Sequence, residues 1–460
     1  MLSTRNDSKF NQLREIYPVF TFEGYFYTLK QGNLHIRYHF HLDDKIAFYP
    51  RYEFPLPVKS LDQIPENCLS NLVFHLGMVE VISYWKATCS PVLHIKPFKL
   101  TPNQQAFWKK LFYKGLGEFL HLNKIDVSEK DLLGFSFEKA GEETPGVFFN
   151  GRSDEVLIPI GGGKDSLVTL NILTQTYTHP MAMAINPVQA TRESVKMAGL
   201  DKQFYVIQRH LDPTLLELNQ KGFLNGHTPF SSLLAFVSLL VSAFTGRNLV
   251  ALSNEDSANE ATIPGTDINH QYSKSYEFEQ DFRNYVKRYI SREISYFSFL
   301  RPLNELQIAA LFARNSRYFE VFRSCNVGSK TNSWCCNCPK CLFTYIMLSA
   351  FVDEQRMVQI FGEKLFEKTS LMPLLMQLAG LTEEKPFECV GTIEEVSAAL
   401  NYLINSKPPA QLPALLRDYQ EKVQGVRFNS LEQQLQKWNG EHFLRDDHEK
   451  ILKQALEQLK

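Results

Sequence analysis

The sequence predicts an α/β protein built on a parallel sheet, with an α+β domain before it and a helical region after it. Three observations carry this expectation: aromatic-rich alternation near the N-terminus, short apolar runs alternating with helical segments from residue 155, and helical patterning beyond about 350. With 460 residues, 44% of them hydrophobic, the chain can bury a sizeable core. Domains are expected at 1–150, 151–350 and 351–460.

Between residues 18 and 56, VFTFEGYFYTL, LHIRYHFHL and KIAFYPRYEF alternate apolar with polar side chains. KQGN and an Asp pair supply turns, so several short antiparallel strands are expected. Helical stretches follow near 66–86 and 102–122, with no catalytic motif inside them. EKAGEETPGVFFNGRSDE, rich in Gly, Pro and charge, marks a boundary. Beyond it VLIPI, PMAMAIN, FYVIQR and NLVALSN read as buried strands, interleaved with helices at DSLVTLNILTQT, TRESVKMAGL and 230–244. Ligands of such sheets bind beyond the carboxyl ends of the strands. The 230–244 helix, with Thr228 and Pro229 as expected N-cap and N1 and Gly246 as its stop, carries four serines. It is shorter than the roughly 18–20 residues that span a bilayer, so a buried helix is expected and no membrane partner. In the helical region, Thr392 and Glu395 have the spacing of a capping box.

The chain carries 49 basic and 50 acidic side chains, so no overall field draws it to nucleic acid or an anionic membrane. Any anionic partner must be held locally, and the stretch 283–340, with ten Lys or Arg, is locally basic. MLSTRNDSKFNQLREIYPVF lacks the features of a secretory signal, and a cytoplasmic location is expected.

In VLIPIGGGKDS, residues 156–166, an apolar strand stops at Gly161, Gly162 and Gly163 and a helix begins. Unpartnered N–H groups and the helix dipole make such a junction an anion site, and glycine lets phosphate oxygens approach the backbone. A Walker A loop would need Ser or Thr after Lys164, where Asp165 stands. A dinucleotide fingerprint would need a small residue, usually glycine, where Ser166 stands. Further on, Cys325, Cys335, Cys338 and Cys341 form C-x9-C-x2-C-x2-C, with Cys336 left over. Four thiolates so spaced suit a structural Zn²⁺, with unmetallated buried cysteines and an iron–sulfur cluster as the rival readings.

Residues 161–166 resemble the Ser-Gly-Gly-x-Asp-Ser loop of N-type ATP pyrophosphatases, departing in having Gly161 for the first serine. The resemblance implies an adenine-nucleotide alpha hydrolase-like PP-loop core that releases pyrophosphate (PPi) from ATP and transfers AMP to a carboxylate. Gly161 to Ser166 would bind ATP, and Asp165 would steer Mg²⁺. The downstream cysteines also resemble the zinc knuckle of 7-cyano-7-deazaguanine synthase.

The order GGGKDS, NGH, SNE, NHQYSKS, RP-x-x-E-L, RSCN and WC-x2-C-x2-C is closer still: over about 155–350 it resembles the MurL family of ATP-dependent UDP-N-acetylmuramoyl-L-alanyl-L-glutamate epimerases. That likeness implies inversion of the terminal L-Glu of UDP-MurNAc-L-Ala-L-Glu for peptidoglycan synthesis, through carboxylate adenylation. By the same likeness, Asn254, Glu255, Asn259, Glu260, His270, Tyr272, Ser273, Lys274, Arg301 and Arg323 are expected at the substrate. Lys164, Asp165, Glu255 and His270 are the expected catalytic residues, with His227 a further acid–base candidate. Competing readings are another adenylating enzyme, forming a deazaguanine nitrile, an amide or a thiolated tRNA, and a non-catalytic ATP- and zinc-binding sensor.

Overall fold

The computed structural model describes residues 5–56, 64–138, 152–263, 265–423 and 429–459, so most of the expected boundary segment lies outside the described residues. The strands are β1 (Val19–Lys30), β2 (Asn33–His41), β3 (Ala47–Phe48), β4 (Arg51–Pro55), β5 (Val92–Ile95) and β6 (Gly134–Phe137). They continue as β7 (Arg152–Pro159), β8 (Met181–Ile185), β9 (Phe204–His210), β10 (Arg247–Leu252) and β11 (Ser295–Ser298). The protein is α/β, with parallel and antiparallel ladders. The chain divides into two compact units.

The first unit comprises Met1–Leu157, Tyr205–Val250 and Gln271–Tyr296. As the alternation predicts, β1, β2, β3 and β4 form an antiparallel meander. The β1–β2 turn is left-handed at both Gln31 and Gly32, the hairpin geometry whose twist matches the flanking strands. Phe22, Tyr38 and Phe40 point to one fully buried face. The helix Glu66–Trp85, apolar all round, lies on that face: a Cβ at Gly77 would sit 2.6 Å from the Phe22 ring. The expected helix over 102–122 is broken at Leu116, giving Pro102–Gly115 and Gly117–Leu122. The apolar helix runs Phe230–Thr245 and stops at Gly246 in the left-handed conformation, as expected. Its N-cap is Pro229 rather than Thr228, and no side chain caps it.

Three strands escaped the sequence reading: β5, β6 and β11, each only four residues long. The all-parallel expectation also needs correction. β9, expected in a parallel sheet, pairs antiparallel with β4 through Tyr52↔Arg209 and its neighbours. β10 and β7 are parallel, as expected.

The second unit comprises Ile158–Phe204, Ala251–His270 and Phe297–Lys460. Ile160 N–H, just past β7, donates to the Met183 carbonyl of β8 at 2.9 Å, and the helix Lys164–Thr176 follows. The helix Glu305–Ala313 packs on it. Beyond residue 350 the regular elements among the described residues are all helices, and Thr392 and Glu395 form the expected capping box on the helix Ile393–Asn405. No helix among the described residues is long and apolar enough to cross a membrane.

A buried histidine makes the first unit's stability sensitive to pH. His75 is bonded to the Asn71 carbonyl at 2.8 Å and the Tyr285 hydroxyl at 2.9 Å, and burial lowers it to about 4. Its folded value lies below its unfolded one, so its contribution is full above the unfolded value and declines as pH falls toward 4. Denaturant unfolding of the intact protein between pH 7 and pH 4.5 should show this decline, at up to roughly 1.4 kcal/mol per pH unit from this one group. In His75→Gln the slope should be shallower by about that amount.

Candidate functional site

The glycine turn lies wholly in the second unit. Gly163 is the N-cap of the helix Lys164–Thr176 and brings no side-chain cap, so the N–H groups of the first turn face outward without a side-chain acceptor. That leaves partial positive charge at the helix start. The glycines have distinct reasons. Gly162 is left-handed at φ +88°, and a Cβ there would lie 3.0 Å from Thr191 N. A Cβ at Gly163 would lie 3.0 Å from Ser324 Oγ. At Gly161 a Cβ would meet open space, so only there does the chain leave room for a ligand to explain the glycine. The Thr191 hydroxyl donates to the Gly161 carbonyl at 3.0 Å, and Arg323 N–H to the Gly162 carbonyl at 3.0 Å.

Side chains of the turn face inward more than the sequence suggested. The Ser166 hydroxyl donates to the Gly163 carbonyl at 2.9 Å. Lys164 is 2% exposed, and its ammonium donates to both Asp165 Oδ1 and Glu305 Oε2. Burial alone would lower the lysine, but the Asp165 and Glu305 carboxylates outweigh it and hold it above its ordinary value. Asp165 keeps a third of its side chain in solvent, whereas Glu305 is buried. Glu305 N–H donates to Glu395 Oε1 at 2.7 Å, so the capping glutamate of a C-terminal helix also fixes this residue. Glu305 was missed by the sequence reading, although it is the glutamate of the RP-x-x-E-L motif.

The polar loop after β10 is braced by the same motif. Arg301 is fully buried and donates to the Glu255 carbonyl at 2.7 Å and to Ser298 Oγ at 3.3 Å. It therefore supports the loop from within the fold. Asn254 donates to Ser298 Oγ at 3.0 Å, and Glu255, itself buried, accepts from the Ser257 hydroxyl at 3.3 Å. Asn259 donates to Asp256 at 3.4 Å, and Glu260 pairs with the buried Lys385. His270 N–H donates to Thr262 Oγ1 at 3.0 Å. Arg323 is half-buried and donates to the carbonyls of Asn332, Glu320 and Phe322.

Other expected site residues belong to the first unit. Tyr272 and Ser273 are buried, and burial raises the Tyr272 hydroxyl. Lys274 donates to Gln271 Oε1 at 3.3 Å. His227 pairs with Glu118 at 3.4 Å.

The four expected cysteines converge. Their sulfurs all lie within 4.8 Å of one another, with 3.9 Å between Cys325 and Cys338, 3.8 Å between Cys335 and Cys341, and 3.5 Å between Cys338 and Cys341. Four thiolates about 2.3 Å from one tetrahedral ion stand about 3.8 Å apart, so the set fits a single metal. Thiolates bound to different irons of a cluster are held farther apart. Gly328 N–H donates to the Cys325 sulfur at 3.2 Å, as expected around a thiolate ligand. The hydrogen bond to Cys341 holds Cys338 down at about 5. Cys336 turns away: its thiol donates to the Phe361 carbonyl at 3.3 Å, and burial pushes it up to about 11.

A strand-to-helix glycine turn with outward N–H groups, a buried lysine beneath it and a four-thiol cluster one residue beyond its bracing Ser324 define an α/β protein whose helix start has the partial positive charge that suits an anion. The chain belongs to the MurL family: the MurL N-terminal domain matches residues 11–299 and the MurL C-terminal domain residues 321–434. Three similar proteins carry the name UDP-N-acetyl-alpha-D-muramoyl-L-alanyl-L-glutamate epimerase. That of Salinispora tropica is 32% identical over 400 residues, covering 85% of this chain and 86% of the relative. That of Xanthomonas oryzae pv. oryzae is 33% identical over 359 residues, covering 76% and 78%. That of a Micromonospora species is 32% identical over 403 residues, covering 85% and 88%.

Four substitutions test this geometry. Gly162→Ala should lower stability by at least about 1 kcal/mol in denaturant unfolding, because an L-residue is strained at that φ. Gly161→Ala, facing open space, should change stability by less than about 0.5 kcal/mol. Cys338→Ser should lower both the metal content of purified protein, read by elemental analysis, and its thermal midpoint; Cys336→Ser should leave metal content unchanged.

Proposed function

We propose that this chain is an ATP-dependent epimerase that inverts the terminal L-Glu of UDP-MurNAc-L-Ala-L-Glu to D-Glu in peptidoglycan precursor synthesis. The observation that carries the reading is similarity, across most of the chain, to three proteins named for that epimerisation. The glycine turn supports the ATP requirement. In this reading its outward N–H groups, at the end of β7 and the start of the helix Lys164–Thr176, bind the departing diphosphate.

The chemistry explains why a nucleotide is consumed. A Cα–H next to an ionised carboxylate is a very weak acid, because its carbanion would form beside a negative charge. AMP transfer to that carboxylate removes the charge and makes the carbonyl an electron sink, with PPi as the leaving group. Each unit of carbon acidity gained is worth about 1.4 kcal/mol of barrier. Asp165, part-exposed at the helix start, is the residue of the turn suited to a Mg²⁺ ion, which keeps most of its waters and takes one or two carboxylates. Lys164 keeps the Asp165 carboxylate in place from below. Proton removal and return to the opposite face fall to the polar loop, with His270 and Glu255 as the proposed acid–base residues and Arg301 holding the Glu255 backbone; water then attacks the acyl adenylate, breaking the acyl–phosphate bond, restoring the carboxylate and releasing AMP. Cys325, Cys335, Cys338 and Cys341 are proposed to hold a structural Zn²⁺, their spacing leaving no position for substrate.

Incubation with ATP, Mg²⁺ and the L-Ala-L-Glu muramoyl nucleotide should release PPi and yield D-Glu after hydrolysis of the product. PPi release only with a different acceptor would replace this reading with another adenylating enzyme, and ATP binding without PPi would replace it with a sensor. Asp165→Asn should lower PPi release at least about a hundredfold; because it also removes one of the two carboxylates paired with the buried Lys164, a lower thermal midpoint is expected beside it, and turnover is read well below that midpoint, where an unchanged rate would exclude the metal role.

A further inference from the structure

We propose that Glu305 is a positioning residue for the glycine turn: it holds the Lys164 ammonium from beneath, leaving Asp165 charged and oriented for the metal–nucleotide. The inference rests on the function proposed above. The motivating observation is the sharing of one buried ammonium between two carboxylates of different exposure. Lys164 is 2% exposed, and its ammonium lies 5.9 Å from the centre of the Phe343 ring, so its charge is met chiefly by Asp165 and Glu305. A buried charge keeps an ionic partner, and removing one partner throws the whole burden on the other. Without Glu305, Asp165 alone would neutralise the ammonium and would offer less charge to Mg²⁺.

Glu305 is itself placed by the C-terminal region and is not placed to touch ligand. Its side chain is 4% exposed. Its N–H is held by Glu395 Oε1, whose other oxygen accepts from Thr392 N–H at the start of the helix Ile393–Asn405. The flanking Asn304 donates to the Gln434 carbonyl at 2.7 Å, and Gln307 donates to the Lys437 carbonyl at 2.7 Å. A chain of contacts therefore runs from the C-terminal helices through Glu305 and Lys164 to Asp165. This gives the C-terminal region a part in nucleotide binding although it carries none of the turn.

The test is equilibrium ATP binding by the full-length protein, titrated with Mg²⁺, with thermal midpoints measured in parallel. Glu305→Gln should raise the Mg²⁺ concentration for half-maximal ATP binding at least about tenfold. Because Glu305 acts through Lys164, the double variant Lys164→Met/Glu305→Gln should lie within about threefold of Lys164→Met alone. A Glu305→Gln protein with a lowered thermal midpoint but a Mg²⁺ requirement within about twofold of wild type would overturn the proposal, as would multiplicative effects in the double variant. If Glu305→Gln does not fold, Glu305→Asp keeps the charge on a shorter stem; a several-fold rise in the Mg²⁺ requirement is expected, and no rise overturns the proposal. Wild-type protein that binds no ATP at any Mg²⁺ concentration would sink the proposed function itself, an outcome distinct from wild-type binding that Glu305→Gln leaves unmoved.

Discussion

The second unit is organised around one buried contact, the Lys164 ammonium against the Glu305 carboxylate. Charges taken out of water are costly unless paired, and stripping one member from a buried pair costs about 3–5 kcal/mol. This constraint explains the density of polar contacts around residues 301–307. Arg301, Asn304, Glu305 and Gln307 are all buried, and each is held by a named backbone or carboxylate partner. The result is a rigid base on which the glycine turn sits.

A second support comes from the segment 323–325. Arg323 N–H bonds Gly162, the Ser324 hydroxyl lies where a Cβ on Gly163 would collide, and the next residue, Cys325, joins the four-thiol cluster. Order in the cluster is thereby transmitted to the turn by three consecutive residues. In the proposed function, the cluster would thus help fix the backbone at which the nucleotide binds.

The basic residues of this region take part in the same network of contacts. Arg301 donates to the Glu255 carbonyl, Arg323 to the Asn332 carbonyl and Arg317 to the Asn171 side chain, so guanidinium groups that read in sequence as a basic stretch also serve as internal donors. In the proposed function, an anionic ligand at the turn would meet backbone N–H groups at the helix start, a source that net charge and Lys/Arg counts do not register.

The sequence by itself determined the local structure. Alternation specified β1 to β4, glycine the turn at 161–163 and the stop at Gly246, the Thr392–Glu395 spacing a capping box, and the two-residue cysteine spacings a common focus. These features depend on neighbours a few residues apart, where chain geometry alone sets what can meet. Only the tertiary structure decided that β9 pairs antiparallel with β4, that Arg301 is buried, and that Glu305, 141 positions from Lys164, is its partner. Strands of four residues, such as β5 and β6, carry too little periodicity to be read alone and form because β1 offers an edge to β5 and β5 in turn offers one to β6. The direction of a long side chain is likewise settled by which distant backbone and charge lie within its reach, and spacing along the chain does not encode that.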